Sequence, residues 1–240
     1  MNPEERIIQA DRSVVIAADV GDGVELMNIL DAIREIPGIK SLKIGIDQGL
    51  RGLESVVATI KSHNLVVIYD HQKAGNDIPD MGANFAKKLK AAQVDAAILF
   101  PFAGPATQEA WTKACFDAGL QVITGGIMTH PKFLASEGGY ISDDAPFRIF
   151  QLACELGVRN FVVPGNKLPW VTNLRSLLVQ ELGEGNFALY APGFITQGGD
   201  ISECGKAAGP YFHAIVGSAV YKKPGIEAKR LAAIEVTKNI

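Results

Sequence analysis

An alternation of short strand-like runs with helical segments is the feature of this sequence that most restricts its fold. Eight runs are rich in β-branched and aromatic residues, and most of them are almost continuously apolar, as strands covered on both faces are. They are SVVIAAD, SLKIG, LVVIYD, VDAAILF, LQVITGG, RNFVVPG, NFALYAPG and FHAIVGS. Between them, apolar residues recur three and four positions apart, as at Leu26, Ile29, Leu30 and Ile33, which predicts amphipathic helices.

Repeating strand–helix units require a parallel sheet, which is either open and doubly wound or closed into a barrel. Most strand starts recur after about 25 to 30 residues, the size of one such unit. Eight units in 240 residues favour the closed form, and the turn after the first run, DVGDG, lacks the dinucleotide fingerprint of many doubly wound sheets. We therefore predict a single-domain (β/α)8 TIM barrel over residues 1–240, with one long insertion after the fifth strand.

The composition argues against several classes of function. Hydrophobic residues make up 48% of the chain and charged residues 20%, as in an ordinary soluble globular protein. No apolar run approaches the roughly 18 residues of a membrane span, and the charged start lacks the apolar core of a signal peptide. A net charge of −3 without a long Lys/Arg run gives no electrostatic footprint for nucleic acid. We expect a cytoplasmic protein that binds neither membranes nor nucleic acid.

The three cysteines do not form a recognisable framework. Cys115, Cys154 and Cys204 are odd in number, widely spaced, and lie in segments that we predict to be helical. We expect them to be small buried apolar side chains in a reducing cytosol rather than disulfide partners or metal ligands.

Charged residues stand where the first three predicted strands end. Asp19 follows the first strand, Lys43 ends the second and Asp70 ends the third, with Lys73 and Asp77 close behind in HQKAGNDIPD. The carboxyl ends of the strands carry the active site in this fold. One carboxylate there could simply cap the next helix, but Lys43 cannot, and charges that converge on one barrel mouth must pair or bind a charged ligand.

The later loops add candidates for ligand binding. Thr129 follows the fifth strand, and the seventh and eighth strands run into APGFITQGGD and VGSAVY. Loops after strands seven and eight are the usual phosphate cradle of this fold. Gly198, Gly199 and Gly217 suit a backbone that approaches a ligand closely.

The run D-x-x-K-x-x-x-D-I-P at Asp70, Lys73 and Asp77, together with MTHP and PGF-x-x-QGGD, closely resembles the orotidine 5′-monophosphate decarboxylase family. The resemblance extends from Asp19 through Gly217. It implies a decarboxylase without metal or organic cofactor that converts orotidine monophosphate to uridine monophosphate in pyrimidine synthesis.

The resemblance also implies roles for individual residues. Lys43, Asp70, Lys73 and Asp77 correspond to an alternating charged tetrad, in which the last aspartate reaches into the neighbouring subunit's site, so a homodimer is expected. Loss of CO2 leaves a carbanion at C6, and the Lys73 ammonium is the candidate that stabilises and protonates it. Asp70 and Asp77 would hold that ammonium charged.

For substrate binding, the resemblance assigns Asp19 to the ribose, Thr129 to the pyrimidine edge and Gln197 to a bridge between base and phosphate. Ile98, Val163 and Pro192 correspond to a small apolar pocket near the reacting carboxylate. The full set of expected substrate-binding residues is Asp19, Thr129, Pro192, Gly193, Gln197, Gly198, Gly217 and Ser218.

Three positions depart from the family pattern. Asp70 and Asp77 are two residues further apart than usual, and Met81 replaces a threonine. Gly217-Ser218 stands where the family has Gly-Arg, whose arginine grips the phosphate. Serine carries no charge, so we expect binding weaker by roughly ten- to a hundredfold unless a lysine substitutes. The candidate lysines are Lys132, Lys167, Lys222 and Lys223.

Two other functions remain open from the sequence. One is a Mg-dependent sugar-phosphate lyase of the hexulose-phosphate synthase type, which shares the fold and a charged run and would be activated by Mg2+. The other is a non-catalytic nucleotide-binding dimer, which Ser218 and the altered spacing suggest.

Overall fold

The computed structural model describes residues 1–2, 5–71 and 74–240, and its strands form one closed parallel barrel. The strands are β1 (Arg12–Ala17), β2 (Ile39–Ile44), β3 (Val66–Tyr69), β4 (Ala96–Leu99), β5 (Gln121–Gly125), β6 (Asn160–Val162), β7 (Ala188–Ala191) and β8 (Phe212–Val216). Each strand pairs with the next, and β8 closes the barrel on β1, with Val14 opposite Ala214. The predicted (β/α)8 barrel is confirmed.

Helices alternate with the strands along the described chain. They are α1 (Gly23–Ile33), α2 (Ile46–Lys61), α3 (Met81–Ala91), α4 (Pro105–Asp117), α5 (Ala145–Glu155), α6 (Leu168–Leu182), α7 (Ile201–Ala208), the short α8 (Ser218–Tyr221) and α9 (Gly225–Thr237). Asp22 and Asp200 cap α1 and α7 by accepting hydrogen bonds from main-chain N–H groups in the first turn. Proline stands in the first turn of α4, α5 and α6, where its missing N–H costs no hydrogen bond.

Alternate residues of each strand build two separate apolar layers. In β1, Val14 and Ile16 face outward and pack against the helices, whereas Val15 and Ala17 face the barrel interior. Because side chains alternate between the faces of a strand, both faces are covered, which explains the nearly continuous apolar runs in the sequence.

The amino-terminal segment closes one end of the barrel. Ile7 and Ile8 are buried in the interior layer, and Asn160 Nδ2 donates to the carbonyl oxygen of Glu5 at 3.1 Å. Beside them, His213 Nδ1 and Ser13 Oγ form a buried hydrogen bond of 2.8 Å. The open cavity of the barrel therefore lies at the opposite end, where the strands end.

The predicted insertion after β5 occupies residues 126–144. It contains a turn of 3-10 helix (Ala135–Glu137) and a β-bridge between Leu134 and Ile141. Glu137 Oε1 accepts a hydrogen bond of 2.7 Å from Lys167 Nζ, which ties the insertion to the start of α6.

The three cysteines are buried in helices, as predicted. Cys115, Cys154 and Cys204 lie in α4, α5 and α7, and all three are free thiols.

Among the helices of the described ranges, none is both long and apolar enough to cross a membrane.

Candidate active site

Three charged side chains from neighbouring strands converge at the carboxyl end of the barrel. The β1–β2 register sets Ala17 opposite Lys43, and the main-chain N–H of Asp70 donates to Ile44 O at 2.9 Å. These pairings bring Lys43 Nζ to 3.2 Å from Asp19 Oδ1 and 3.2 Å from Asp70 Oδ2. Lys43 and Asp70 are buried, whereas the Asp19 side chain is 41% exposed. The charged cluster predicted from the sequence is thus assembled for these three residues.

The two carboxylates fix the charge of Lys43. Burial by itself would lower the pKa of the Lys43 ammonium, but attraction to Asp70 and Asp19 and their hydrogen bonds outweigh it and raise the pKa above 10.5. Asp70 Oδ1 is buried and finds no hydrogen-bond partner among the residues described. Because an unpartnered buried acceptor is costly, this oxygen is suited to a further cation or to a ligand donor.

The cluster forms one wall of a cavity of about 330 Å³. Interior residues of the barrel supply an apolar wall that includes Ile98, Phe100 and Val162. The resemblance implied Val163 at this wall, but that prediction is wrong. Val163 belongs to the outer layer behind the barrel, because neighbouring strand residues point to opposite faces.

Loops after β5, β7 and β8 complete the cavity. Six predicted residues line it: Thr129, Pro192, Gly193, Gln197, Gly217 and Ser218. Asn166 joins two of these loops, because its Nδ2 donates to the carbonyl oxygen of Thr129 at 3.1 Å and to that of Gln197 at 3.5 Å. Gly193 has a φ of 108°, and a Cβ there would lie 3.0 Å from Asn166 Oδ1, so glycine is needed at this approach.

Searches of curated proteins identify relatives that share one name, although no family model matches the chain. The orotidine 5′-phosphate decarboxylase of Methanosarcina barkeri is 26% identical over 225 residues, which are 92% of this chain and 93% of the relative. The protein of the same name from Methanosarcina mazei is 24% identical over 233 residues, 97% of both chains.

Solved structures agree in fold. The orotidine 5′-monophosphate decarboxylase of Methanocaldococcus jannaschii, complexed with the inhibitor BMP, superimposes with a TM-score of 0.80 at 21% identity, covering 95% of this chain and 98% of that one. The orotidine 5′-phosphate decarboxylase of Pyrococcus horikoshii gives a TM-score of 0.75 at 23% identity, covering 95% and 99%. This chain resembles the orotidine 5′-phosphate decarboxylases. The resemblance inferred from the sequence motifs is confirmed.

Two residues that the decarboxylase resemblance marks as functional lie off the cavity. Asp77 is exposed in the loop between β3 and α3, where its Oδ1 accepts from the Ile78 N–H at 2.7 Å. Gly198, with a φ of 85°, is exposed at the turn of the loop after β7. Lys73, which the resemblance makes the proton donor, lies outside the described residues.

The lysines considered as replacements for the decarboxylases' phosphate-gripping arginine do not line the cavity. Lys167 is paired with Glu137 at 2.7 Å. Lys132, Lys222 and Lys223 are exposed. In the part of the chain that the structure describes, no group of three or more His, Cys, Asp or Glu side chains is placed to hold a metal ion.

Sequence reasoning missed two polar residues of the cavity, Thr196 and Tyr221. Thr196 Oγ1 lies 3.1 Å from Ser218 Oγ. Burial raises the pKa of the Tyr221 phenol, and the negative charge of Asp19 raises it further. The positive charge of Lys43 partly offsets both effects. Tyr221 stands three residues after Ser218, and because both lie in the single turn of α8 they share its face.

Proposed function

We propose that this chain is an enzyme that decarboxylates orotidine 5′-monophosphate to uridine 5′-monophosphate without a cofactor. The observation that carries the proposal is the buried Lys43 held between Asp19 and Asp70 on the wall of an open cavity. Curated relatives named as this decarboxylase, similar over more than nine-tenths of the chain, support it.

The chemistry requires a proton at C6. When the bond between C6 and the carboxylate breaks, CO2 leaves and the electron pair stays on C6, where an ammonium can stabilise it and then protonate it. We assign this ammonium to Lys73. Asp70 lies three residues earlier in the chain, and its buried Oδ1, which has no hydrogen-bond partner among the described residues, supports the assignment because such an oxygen can hold a cation in place.

The rest of the cavity would bind the nucleotide. Asp19, which is partly exposed at the mouth, is assigned to the ribose hydroxyls. Thr129 and Gln197 are assigned to the pyrimidine edge and to the bridge between base and phosphate. The support for both is that they line the cavity and that Asn166 holds their loops together.

We further propose a homodimer in which Asp77 completes the partner's site. Asp77 is exposed and does not line its own chain's cavity, and Ile78 and Met81 beside it are 60% and 40% exposed. Apolar surface of this kind is suited to an interface.

The cytoplasmic location stays a prediction from the sequence.

The first test measures the loss of orotidine monophosphate absorbance in the presence of EDTA. We expect turnover by the natural chain, no detectable turnover by Lys73→Ala, and unchanged turnover by Lys87→Ala, a control on the exposed face of α3. Binding of uridine monophosphate without turnover would favour the non-catalytic dimer. Turnover of a sugar phosphate only with Mg2+ would favour the lyase.

The second test addresses Asp77. Lys73→Ala and Asp77→Asn chains are each expected to be inactive, but a mixture forms some dimers in which one site has both natural residues. With equal amounts and free exchange, half of the dimers are mixed and half of their sites are intact, so about a quarter of the natural activity returns. A mixture that stays inactive although exchange is demonstrated would refute the shared site.

A further inference from the structure

Two hydroxyl groups from different loops meet on the cavity wall. Thr196 comes from the loop after β7, and Ser218 begins α8 after β8. Their oxygens are 3.1 Å apart, within hydrogen-bond distance, and both residues line the cavity. Tyr221, one helical turn beyond Ser218, lines the same cavity. This end of the site therefore presents a group of hydroxyls from two loops.

The charges around these hydroxyls are unusual for a site that takes a phosphorylated ligand. Among the described residues on the cavity wall, Lys43 is the one cation, and its ammonium is held by Asp19 and Asp70. Lys167, a candidate in an adjoining loop, is paired with Glu137. A phosphate bound beside Ser218 would thus be held by neutral donors rather than by an ion pair.

Hydroxyl chemistry makes the pair suitable for an anion. Each hydroxyl carries one hydrogen, so in the free protein one of the two donates to the other. A phosphate group supplies several acceptor oxygens, so Thr196 and Ser218 can both donate to it, and one neutral bond is exchanged for two charge-assisted bonds. Tyr221 lines the same cavity, and its phenol is protonated at neutral pH as that of an ordinary tyrosine is, so it is available as a third donor.

We infer that Thr196 and Ser218 form a charge-neutral clamp for the ligand's phosphate and set the preference for a nucleotide over the corresponding nucleoside. The inference rests on the proposed function, because it presumes that the cavity takes a pyrimidine nucleotide. The clamp replaces a cation with two short side chains, so its contribution comes from hydrogen bonds and not from net charge.

The test measures dissociation constants of uridine monophosphate and uridine by calorimetry, because only the first ligand carries the phosphate. Thr196→Val and Ser218→Ala are each expected to weaken uridine monophosphate binding about tenfold or more, as loss of a hydrogen bond to a charged group does, and to leave uridine unchanged. Ser62→Ala, which removes an exposed hydroxyl at the carboxyl end of α2 and outside the cavity lining, is the matched control and should change neither constant.

Salt dependence distinguishes a neutral clamp from an ion pair. Between about 50 and 200 mM salt, the preference of the natural chain for uridine monophosphate over uridine should change little, whereas Ser218→Arg should bind the nucleotide more tightly and lose this gain as salt rises. Equal weakening of both ligands by Thr196→Val and Ser218→Ala, or no change in nucleotide binding, would overturn the clamp.

The failure of the clamp and that of the proposed function give different results. Decarboxylation of orotidine monophosphate with unchanged nucleotide preference in Thr196→Val and Ser218→Ala refutes the clamp alone. A natural chain that neither decarboxylates orotidine monophosphate nor binds uridine monophosphate refutes the proposed function, and the inference with it.

Discussion

Replacing Lys43 with methionine should destabilise the protein more than the loss of an ordinary ion pair would. The Lys43 side chain is 7% exposed and that of Asp70 is 12% exposed, so the change leaves a buried carboxylate without its cation. Breaking a buried pair from one side costs about 3–5 kcal/mol. Asp19, at 41% exposure, is screened by solvent, so Asp19→Asn should cost no more than about 1 kcal/mol.

The assay is urea unfolding at pH 7, followed by circular dichroism, with a double-mutant cycle. Asp70→Asn combined with Lys43→Met removes both charges, so the double variant should lose about 1–3 kcal/mol less than the sum of the single losses. Lys61→Met is the matched control, because its pair with Asp95 is 34% exposed on both sides and should contribute about 1 kcal/mol or less. Additive losses, or a cost for Lys43→Met no larger than for Lys61→Met, would refute the reasoning.

The pH dependence of this contribution has a definite sign. The folded-state pKa of Lys43 lies above 10.5, so folding favours the protonated lysine. The stabilisation is therefore fully present at neutral pH and is lost only in the alkaline range, as the pH rises through the folded-state pKa. The difference in unfolding free energy between the natural chain and Lys43→Met should accordingly be the same at pH 7 and pH 9.

Two further predictions concern the interior of the barrel. Burial is the main cause that lowers the pKa of His213 from 6.5 to about 3. Below pH 6.5 the unfolded chain therefore binds a proton at His213 that the folded chain excludes. The free energy of unfolding should accordingly fall as the pH drops from 6.5 towards 3. Urea unfolding at pH 7 and pH 5 should show that the unfolding free energy falls by about 2 kcal/mol less in His213→Asn than in the natural chain. An equal fall in both proteins would contradict this prediction. A Cβ at Gly125 would lie 2.4 Å from the Phe100 ring on the cavity wall, so Gly125→Ala should cost about 1–3 kcal/mol and raise the KM for orotidine monophosphate. Gly21→Ala, where a Cβ meets nothing within 4 Å, is its control, and equal effects of the two changes would disprove the overpacking.

The barrel and the meeting of three charged residues at its mouth can both be predicted from local sequence patterns. Each strand can be predicted from its own residues, because both of its faces are covered and its residues are therefore nearly all apolar. Once the strands are parallel, their carboxyl ends meet at one mouth of the barrel, so the sequence predicts that Asp19, Lys43 and Asp70 lie close together there. The motifs that carry the decarboxylase resemblance are likewise short stretches that can be read without the fold.

Which side chains reach the cavity depends on contacts between distant parts of the chain, and local patterns do not predict it. Val162 lines it and Val163 does not, because the face that a strand residue occupies depends on register with the neighbouring strands. Thr196 reaches it through loop conformation, which no periodic pattern encodes. Asp77 stays outside its own chain's cavity although it follows Asp70 by only seven residues. The direction of a loop side chain is set by long-range contacts, such as those of Asn166 with two other loops, and these form only when distant parts of the chain come together.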